Sequence, residues 1–579
     1  MADSRSNSQA TVSELLKAWG QPLDPGRKAA QLVNRVTFGP RPGDVEGIRA
    51  TGLQAFIDQQ LHPERLDDRA LDDRLAGLPT LSMSSAELME KYPDPNQLKR
   101  QQEVMGAVAD RRPGTPASMS PSSSAMGSTM GDSGDTPREV LVELGREQLL
   151  RAVYSTRQLQ EVMVQFWMNH FNIFAGKGPD KWMLTSFERD TIRPRALGRF
   201  EDLLVATAQS PAMLFYLDNW MSSTPGFRPG GPAAGRPAAF PGRWRRFGGP
   251  FGGPLLGPGR QALGAPHPAP GPNARQKHGL NENYGRELME LHTLGVNGGY
   301  TQKDVIEVAR CLTGWTVLRP RQEAEFFFNA RMHDVGEKTV LGHKIPGHGG
   351  IEDGLQVLHL LASHPSTAQF IAAKLCRRFV ADDPPPSLVE RTSREFTASN
   401  GDLRVVLQSI FTSPEFSSEG AYRAKTKSPL EMVASTLRAL DAQTDAGAQL
   451  LGMIGRMGEP MFQYQAPAGY PDRASTWISS SALLGRLNFA TAVAENRIPG
   501  TKINLESEIA QGAGSPESIV DRLSGLLGTT LSGGSRRAIL GSVGSKTDSR
   551  DPEAKFSEGF ATLPAMAALV IGSPEFQRR

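Results

Sequence analysis

Glu287, Glu290 and His292 lie close together in the stretch 281–295, and their types are those of acid–base or metal chemistry. At helical period Tyr284, Leu288, Leu291 and Leu294 form one apolar stripe; Glu287 falls inside it, with Asn283 one turn before. A carboxylate aimed at a core must be paired, hydrogen-bonded, protonated or metal-bound, because burying it bare is costly. A second inward polar group comes from another helical stretch, where Val162, Phe166, Trp167, His170 and Phe174 share a face. Glu287, His170 and Glu290 are therefore the candidate catalytic residues, and His292 points roughly away from Glu287. Helical bundles also build metal sites from inward carboxylates and histidines, which keeps a divalent metal open as cofactor. Neither the Glu-x-x-His spacing of di-iron bundles nor His-Glu-x-x-His occurs. The competing reading is a structural His–Glu or Arg–Glu pair, with Arg286 as one arginine, that locks helix packing.

Two further constellations deserve the same weighing. His333 and Asp334, followed by Lys338, His343 and His348, place metal-ligating types on a hairpin and the loop after it. No fixed short spacing supports a ligand set, and Asp-x-Gly is also ordinary turn chemistry. Tyr470, Asp472, Arg473 and Trp477 could line a cleft wall, since aromatics beside polar groups suit sugar or peptide ligands. The preferred reading is a packed turn with an Asp472–Arg473 pair, leading into a helix with Leu483, Leu484 and Leu487 inward. No Gly-x-Ser-x-Gly elbow, phosphate-binding loop or dinucleotide fingerprint occurs, which disfavours nucleotide-dependent chemistry.

The elements that must position these residues read as mainly α: a multi-helical globular protein with a small β-hairpin excursion and two low-complexity insertions. Residues 1–26 form a polar tail, 27–500 a helical core and 501–579 a helical extension. Alternation over 326–338 predicts two strands with a turn at 334–337. The insertions, 112–137 and 222–277, lack apolar period. The second holds eight basic residues and no acidic one, with Phe240, Trp244, Phe247 and Phe251 interleaved. It reads as a solvated flexible loop, or as a segment that could touch RNA, a membrane surface or an acidic partner. The net charge of +3 over 579 residues argues for no specific nucleic acid. Cys311 and Cys376 sit in amphipathic helical patterns and read as buried thiols. No apolar run is long enough for a transmembrane segment, and the polar N-terminus lacks a signal peptide, so the expected compartment is the cytoplasm.

Several motifs in a fixed order carry a resemblance. They are Asn34-Arg35-x-x-Phe38-Gly39-Pro40, Trp167-x-Asn169-His170-Phe171, Asn283-Tyr284-x-Arg286-Glu287-Leu-x-Glu290-Leu-His292, Leu312-Thr313-Gly314-Trp315, His333-Asp334-x-Gly336-x-Lys338 and Gly469-Tyr470-Pro471 with Trp477. Jointly, over residues 27–500, they resemble the bacterial family catalogued as domain of unknown function 1800. The resemblance implies no particular reaction. It maps motif residues onto Trp167, His170, Asn283, Arg286, Glu287, Glu290, His292, His333 and Asp334. Asn283, Arg286, Trp167, Tyr470 and Trp477 are thus the substrate-binding candidates, and His333, Asp334 and His292 the metal candidates. It also implies a neighbour similar to sulfatases and phosphatases, often with an export signal, with which this chain would leave the cytoplasm.

Two functions follow as expectations. One is a hydrolase-type enzyme whose buried Glu/His polar site works in a helical core. The other is a non-catalytic partner or maturation subunit for a sulfatase/phosphatase-like protein. Convergence decides between them: Glu287, His170 and His333 in one open pocket favour the enzyme, and scattered, locally satisfied residues favour the subunit.

Overall fold

The apolar period that starts after residue 25 becomes the helix Pro25–Val36, started by Pro25 behind the Asp24 cap and ended at Thr37. The structure, a computed structural model, describes residues 17–95, 136–227, 279–509, 515–544 and 563–579. Both low-complexity insertions fall outside the described residues except at their ends. Within the described residues the architecture is mainly helical, and one hydrophobic core runs from Ala29 to Phe576. No helix among them is long and apolar enough to cross a membrane.

The period that breaks near Ser155 gives two helices, Pro137–Tyr154 and Gln158–His170. The second carries Trp167 and His170 into the core, both essentially without exposure. It faces the helix Pro365–Phe379, which brings Lys374, and the helix Pro429–Ala439, which starts in a Ser428–Glu431 capping box. Both cysteines are buried free thiols.

The strands differ from the single hairpin expected at 326–338. Glu325–Phe328 pairs antiparallel with the preceding Trp315–Leu318, and Lys338–Val340 pairs with His343–Ile345. Residues 334–337 lie at the end of the 329–337 connection between the two hairpins and not at a hairpin turn. The buried Trp315, set up by a left-handed Gly314, supplies the partner that alternation alone did not reveal. A third two-stranded pair joins Gln443–Thr444 to Thr501–Lys502.

The helix Ser480–Ala494 lies the other way round from expectation. Leu483, Leu484 and Leu487 are exposed, and Ala482, Arg486, Phe489, Ala490 and Val493 face inward. Arg486 anchors this orientation: fully buried, its guanidinium donates to the Lys427 carbonyl at 2.8 Å. Phe489, Ala490 and Val493 are buried on the same side as Arg486, which leaves the three leucines at the surface.

Candidate functional site

The stretch 281–295 is not one continuous α-helix. Asn283–Glu287 is α-helical, and Leu288–Thr293 continues as a π-helix. Leu294 N donates to Met289 O at 2.9 Å, five residues back, and the Thr293 hydroxyl donates to Leu288 O at 2.7 Å. The wider turn moves the inward face from i+3 to i+4 and i+5, so Leu288, His292 and Thr293 are buried while Leu291 is half-buried. His292, expected to point away, is in the core, and Glu287, expected in the core, stays half-buried at its rim.

His170 is held on both ring nitrogens. Nε2 lies 3.1 Å from the His292 carbonyl, and Nδ1 lies 2.8 Å from Lys374 Nζ. The carbonyl requires a proton on Nε2, leaving Nδ1 as acceptor for the lysine. Burial and the neighbouring Lys374 charge hold the imidazole well below its ordinary range, so His170 is neutral. Lys374 is half-buried; burial, with Arg377 beside it, brings its ammonium down to about 8.

His170 and Lys374 line a cavity of about 390 Å³. Its far wall is the segment 459–477, clamped to the residue before His170: Asn169 donates to Tyr470 O at 2.9 Å and accepts from Tyr470 N at 2.7 Å. Gly469 makes this approach possible, at φ +69° and with the place of a Cβ only 2.1 Å from the Asn169 carbonyl. Tyr470 and Trp477 pack with ring centroids 5.6 Å apart, forming an aromatic side of the cavity. Glu459 also lines it; burial pushes its carboxyl up to about 7, although Leu430 N donates to it at 2.8 Å. Glu431, beside it, is held down at about 2, against the opposing effect of burial, by Arg378 at 2.6 Å and Arg579 at 2.9 Å. Asp472 and Arg473 do not pair with each other: Asp472 bonds Lys425 and Arg473 bonds Asp383, each at 2.8 Å.

The other predicted residues lie elsewhere. Glu287 and Asn283 line a separate, shallow depression of about 540 Å³ with Lys177 and Tyr216. There burial, with Glu290 nearby, raises the Glu287 carboxyl to about 7. Glu290 meets the Tyr300 hydroxyl at 3.4 Å, and Arg286 turns to Gln302 at 2.7 Å and Glu282 at 3.7 Å, not to Glu287. Trp167 is core, its indole donating to Ala196 O at 3.0 Å. His333 is buried under the hairpins, with Nδ1 2.8 Å from Thr313 O and Nε2 3.0 Å from Asp353. Asp353 also takes the fully buried Lys338, and Asp334 pairs with Arg310 at 2.9 Å. The metal candidates His333, Asp334 and His292 are thus not brought to one place. Among the described residues, no three His, Cys, Asp or Glu side chains converge as a ligand set.

One predicted catalytic residue, His170, and two predicted substrate-binding residues, Tyr470 and Trp477, share the cavity between His170 and Tyr470; Glu287 and His333 do not join them. Lys374, Arg377 and Glu459 were missed. The available signal was a lysine at one-turn spacing between Phe370 and Arg378 on an amphipathic helix, and a glutamate set in a Gly-Glu-Pro turn.

Three of the motifs that carried the resemblance line this cavity, through Phe38, through Asn169 and His170, and through Tyr470 and Trp477, and a family model matches residues 31–578. The chain belongs to the family described as protein of unknown function (DUF1800). The match runs past residue 500, which fits the packing of Met566 and Phe576 into the common core. No curated protein and no solved structure matches the chain.

Proposed function

We propose that this protein is a hydrolytic acid–base enzyme acting in the cavity between His170 and Tyr470, with Glu459 as base and Lys374 as acid. The observation that carries the reading is the convergence on one open cavity of an amine and a carboxyl that both titrate near neutrality. Between about pH 7 and 8 Glu459 is ionised while Lys374 keeps its proton. Glu459 then takes a proton from water as the water oxygen attacks the substrate's electrophilic centre. Lys374 gives its proton to the departing group as that bond breaks. His170 is a positioning residue, its neutral Nδ1 fixing the lysine by one hydrogen bond. Glu287 and His333, which the sequence grouped with His170, lie outside this cavity and have no part in this reading.

The test pairs activity with direct titration. Chromogenic p-nitrophenyl esters, phosphates and glycosides are screened with wild type, Glu459→Gln and Lys374→Met. The expected activity rises through about pH 7, falls through about pH 8, and drops at least ~100-fold in either variant. In parallel, trinitrobenzenesulfonate should label Lys374 with a midpoint near 8. No turnover across the panel, together with labelling at the pH of an ordinary lysine, overturns the proposal.

A second reading, a non-catalytic partner for a sulfatase/phosphatase-like protein, is favoured by a different observation. Ile478 and Leu484 are 52% and 59% exposed, on the segment that follows cavity-lining Trp477, with Leu483 and Leu487 beside them. Exposed apolar side chains that recur along one short segment are the kind that serve interaction surfaces. If it docks such a partner, Leu484→Glu abolishes their co-elution in gel filtration while the fold is kept.

A further inference from the structure

The charges that line the cavity between His170 and Tyr470 are not all paired. Arg378 is matched by Glu431 at 2.6 Å, and Arg473 by Asp383 at 2.8 Å. Asp472, whose charge Lys374 feels, is bonded to Lys425 at 2.8 Å. Glu459, the remaining carboxyl of the lining, accepts from Leu430 N and forms no salt bridge among the described residues, and two cations, Lys374 and Arg377, one turn apart on the helix Pro365–Phe379, are likewise left unmatched. Neither has a carboxylate within salt-bridge distance among the described residues: Lys374 Nζ meets a neutral imidazole, and Arg377 Nε meets the Asp382 carbonyl at 3.1 Å. Two like charges at this spacing repel each other, and half-burial raises the cost of leaving them unpaired. The Nε bond also orients the Arg377 guanidinium and leaves its two terminal nitrogens for a two-pronged acceptor.

We propose that Arg377 and Lys374 bind an anionic group, a carboxylate or a tetrahedral oxyanion such as phosphate or sulfate, on a ligand whose apolar or ring portion lies against Phe370, Tyr470 and Trp477. This inference rests on the cavity assigned above as the reaction site and names its substrate class. Arg377 is the anchor and does no proton transfer. The anion lies next to the Lys374 ammonium and strengthens its hold on the proton it must deliver. A volume of about 390 Å³ suits a small molecule or the terminal group of a larger one.

Calorimetric titration of the full chain with inorganic phosphate, sulfate and benzoate, each against a sodium chloride control of equal ionic strength, tests the assignment. The expected result is saturable binding of at least one probe at one site. Arg377→Met should weaken it at least ~10-fold, a change of about 1.4 kcal/mol, and Arg377→Lys by less. Preference for phosphate or sulfate identifies an oxyanion site, and preference for benzoate a carboxylate site. Because Arg377→Met also removes a loop contact, Lys374→Met serves as the second variant and should weaken binding as well. No probe binding above the salt control, or binding unchanged in both variants, overturns the proposal. Glu459→Gln separates it from the catalytic reading: that variant keeps or tightens anion binding while turnover is lost. Anion binding that depends on Arg377, with turnover indifferent to Glu459, sinks the mechanism and leaves the anion site standing.

Discussion

Two buried sites among the described residues combine a lysine with a histidine, and they differ in what accompanies the pair. Under the hairpins Lys338 and His333 both contact Asp353, and all three side chains are essentially without exposure. In the cavity Lys374 meets His170 directly, with no carboxylate between them and an opening beside them. The first arrangement is closed: a negative charge matches the ammonium, and the Thr313 carbonyl takes the other imidazole nitrogen. The second is open, because the lysine is bonded yet its charge is unmatched. Both sets sit in family motifs or against them, yet one reads as architecture and the other as chemistry. Residue type does not separate them; the presence of Asp353 does.

The strongest way to break the comparison is to remove that carboxylate. Asp353→Asn leaves the Lys338 ammonium buried and unpaired, and should cost about 3–5 kcal/mol of stability. Lys374→Met, by contrast, removes a charge that has no counter-ion and should leave stability equal or higher. Urea denaturation of the two variants side by side checks both. A large loss in Lys374→Met and none in Asp353→Asn would reverse the assignment of structure to one region and function to the other.

The cavity should also show itself in the pH dependence of stability. The folded state lowers Lys374 from its ordinary value of 10.5 to about 8, so between those values the unfolded chain holds a proton that the folded chain has released. The lysine therefore makes stability rise with pH from about 8 to 10.5, and Lys374→Met should lack that contribution. Glu459 acts in the opposite sense. Its folded value is raised from 4.5 to about 7, so ionising it costs stability as pH rises through that interval. Glu459→Gln should gain on wild type between pH 4.5 and 7. Urea midpoints followed across pH 4–10 sharpen the comparison, since flat differences for both variants would place the two groups in ordinary solvent.

Much of this contrast was legible from the residues, and the part that was not has physical causes. The helix breaks near Ser155 and after Val36, the inward Trp167 and His170, and the Gly-Tyr-Pro turn followed from period and turn chemistry. Glu287 was misplaced because an α period was applied across a π segment, whose extra residue per turn no local composition signals. The outward leucines of Ser480–Ala494 were misread because a buried Arg486 reverses the face, and its acceptor, Lys427 O, is remote in sequence. Lys374 and Glu459 went unnoticed because each looks like an ordinary surface residue alone. Only tertiary packing places them at one cavity and strips away their water.

His292 gives the finest test, because it lies between the two cases. It is buried, in contact with the rings of His170, Phe171 and Tyr284, and neither ring nitrogen has a hydrogen-bond partner among the described residues. Burial, with the Lys374 charge nearby, holds its imidazole near about 3, so it is neutral. What the site uses is its backbone carbonyl, which receives the His170 Nε2 proton. An unsatisfied buried polar group costs about 1–3 kcal/mol, and an apolar side chain of similar size removes that cost. His292→Leu should therefore keep the labelling midpoint of Lys374 near 8 and raise stability by about 1 kcal/mol, read from the urea midpoint. A loss of stability with an upward shift of the Lys374 midpoint would mean that the ring itself supports the cavity. His292 would then belong with His170 and not with the closed core around Asp353.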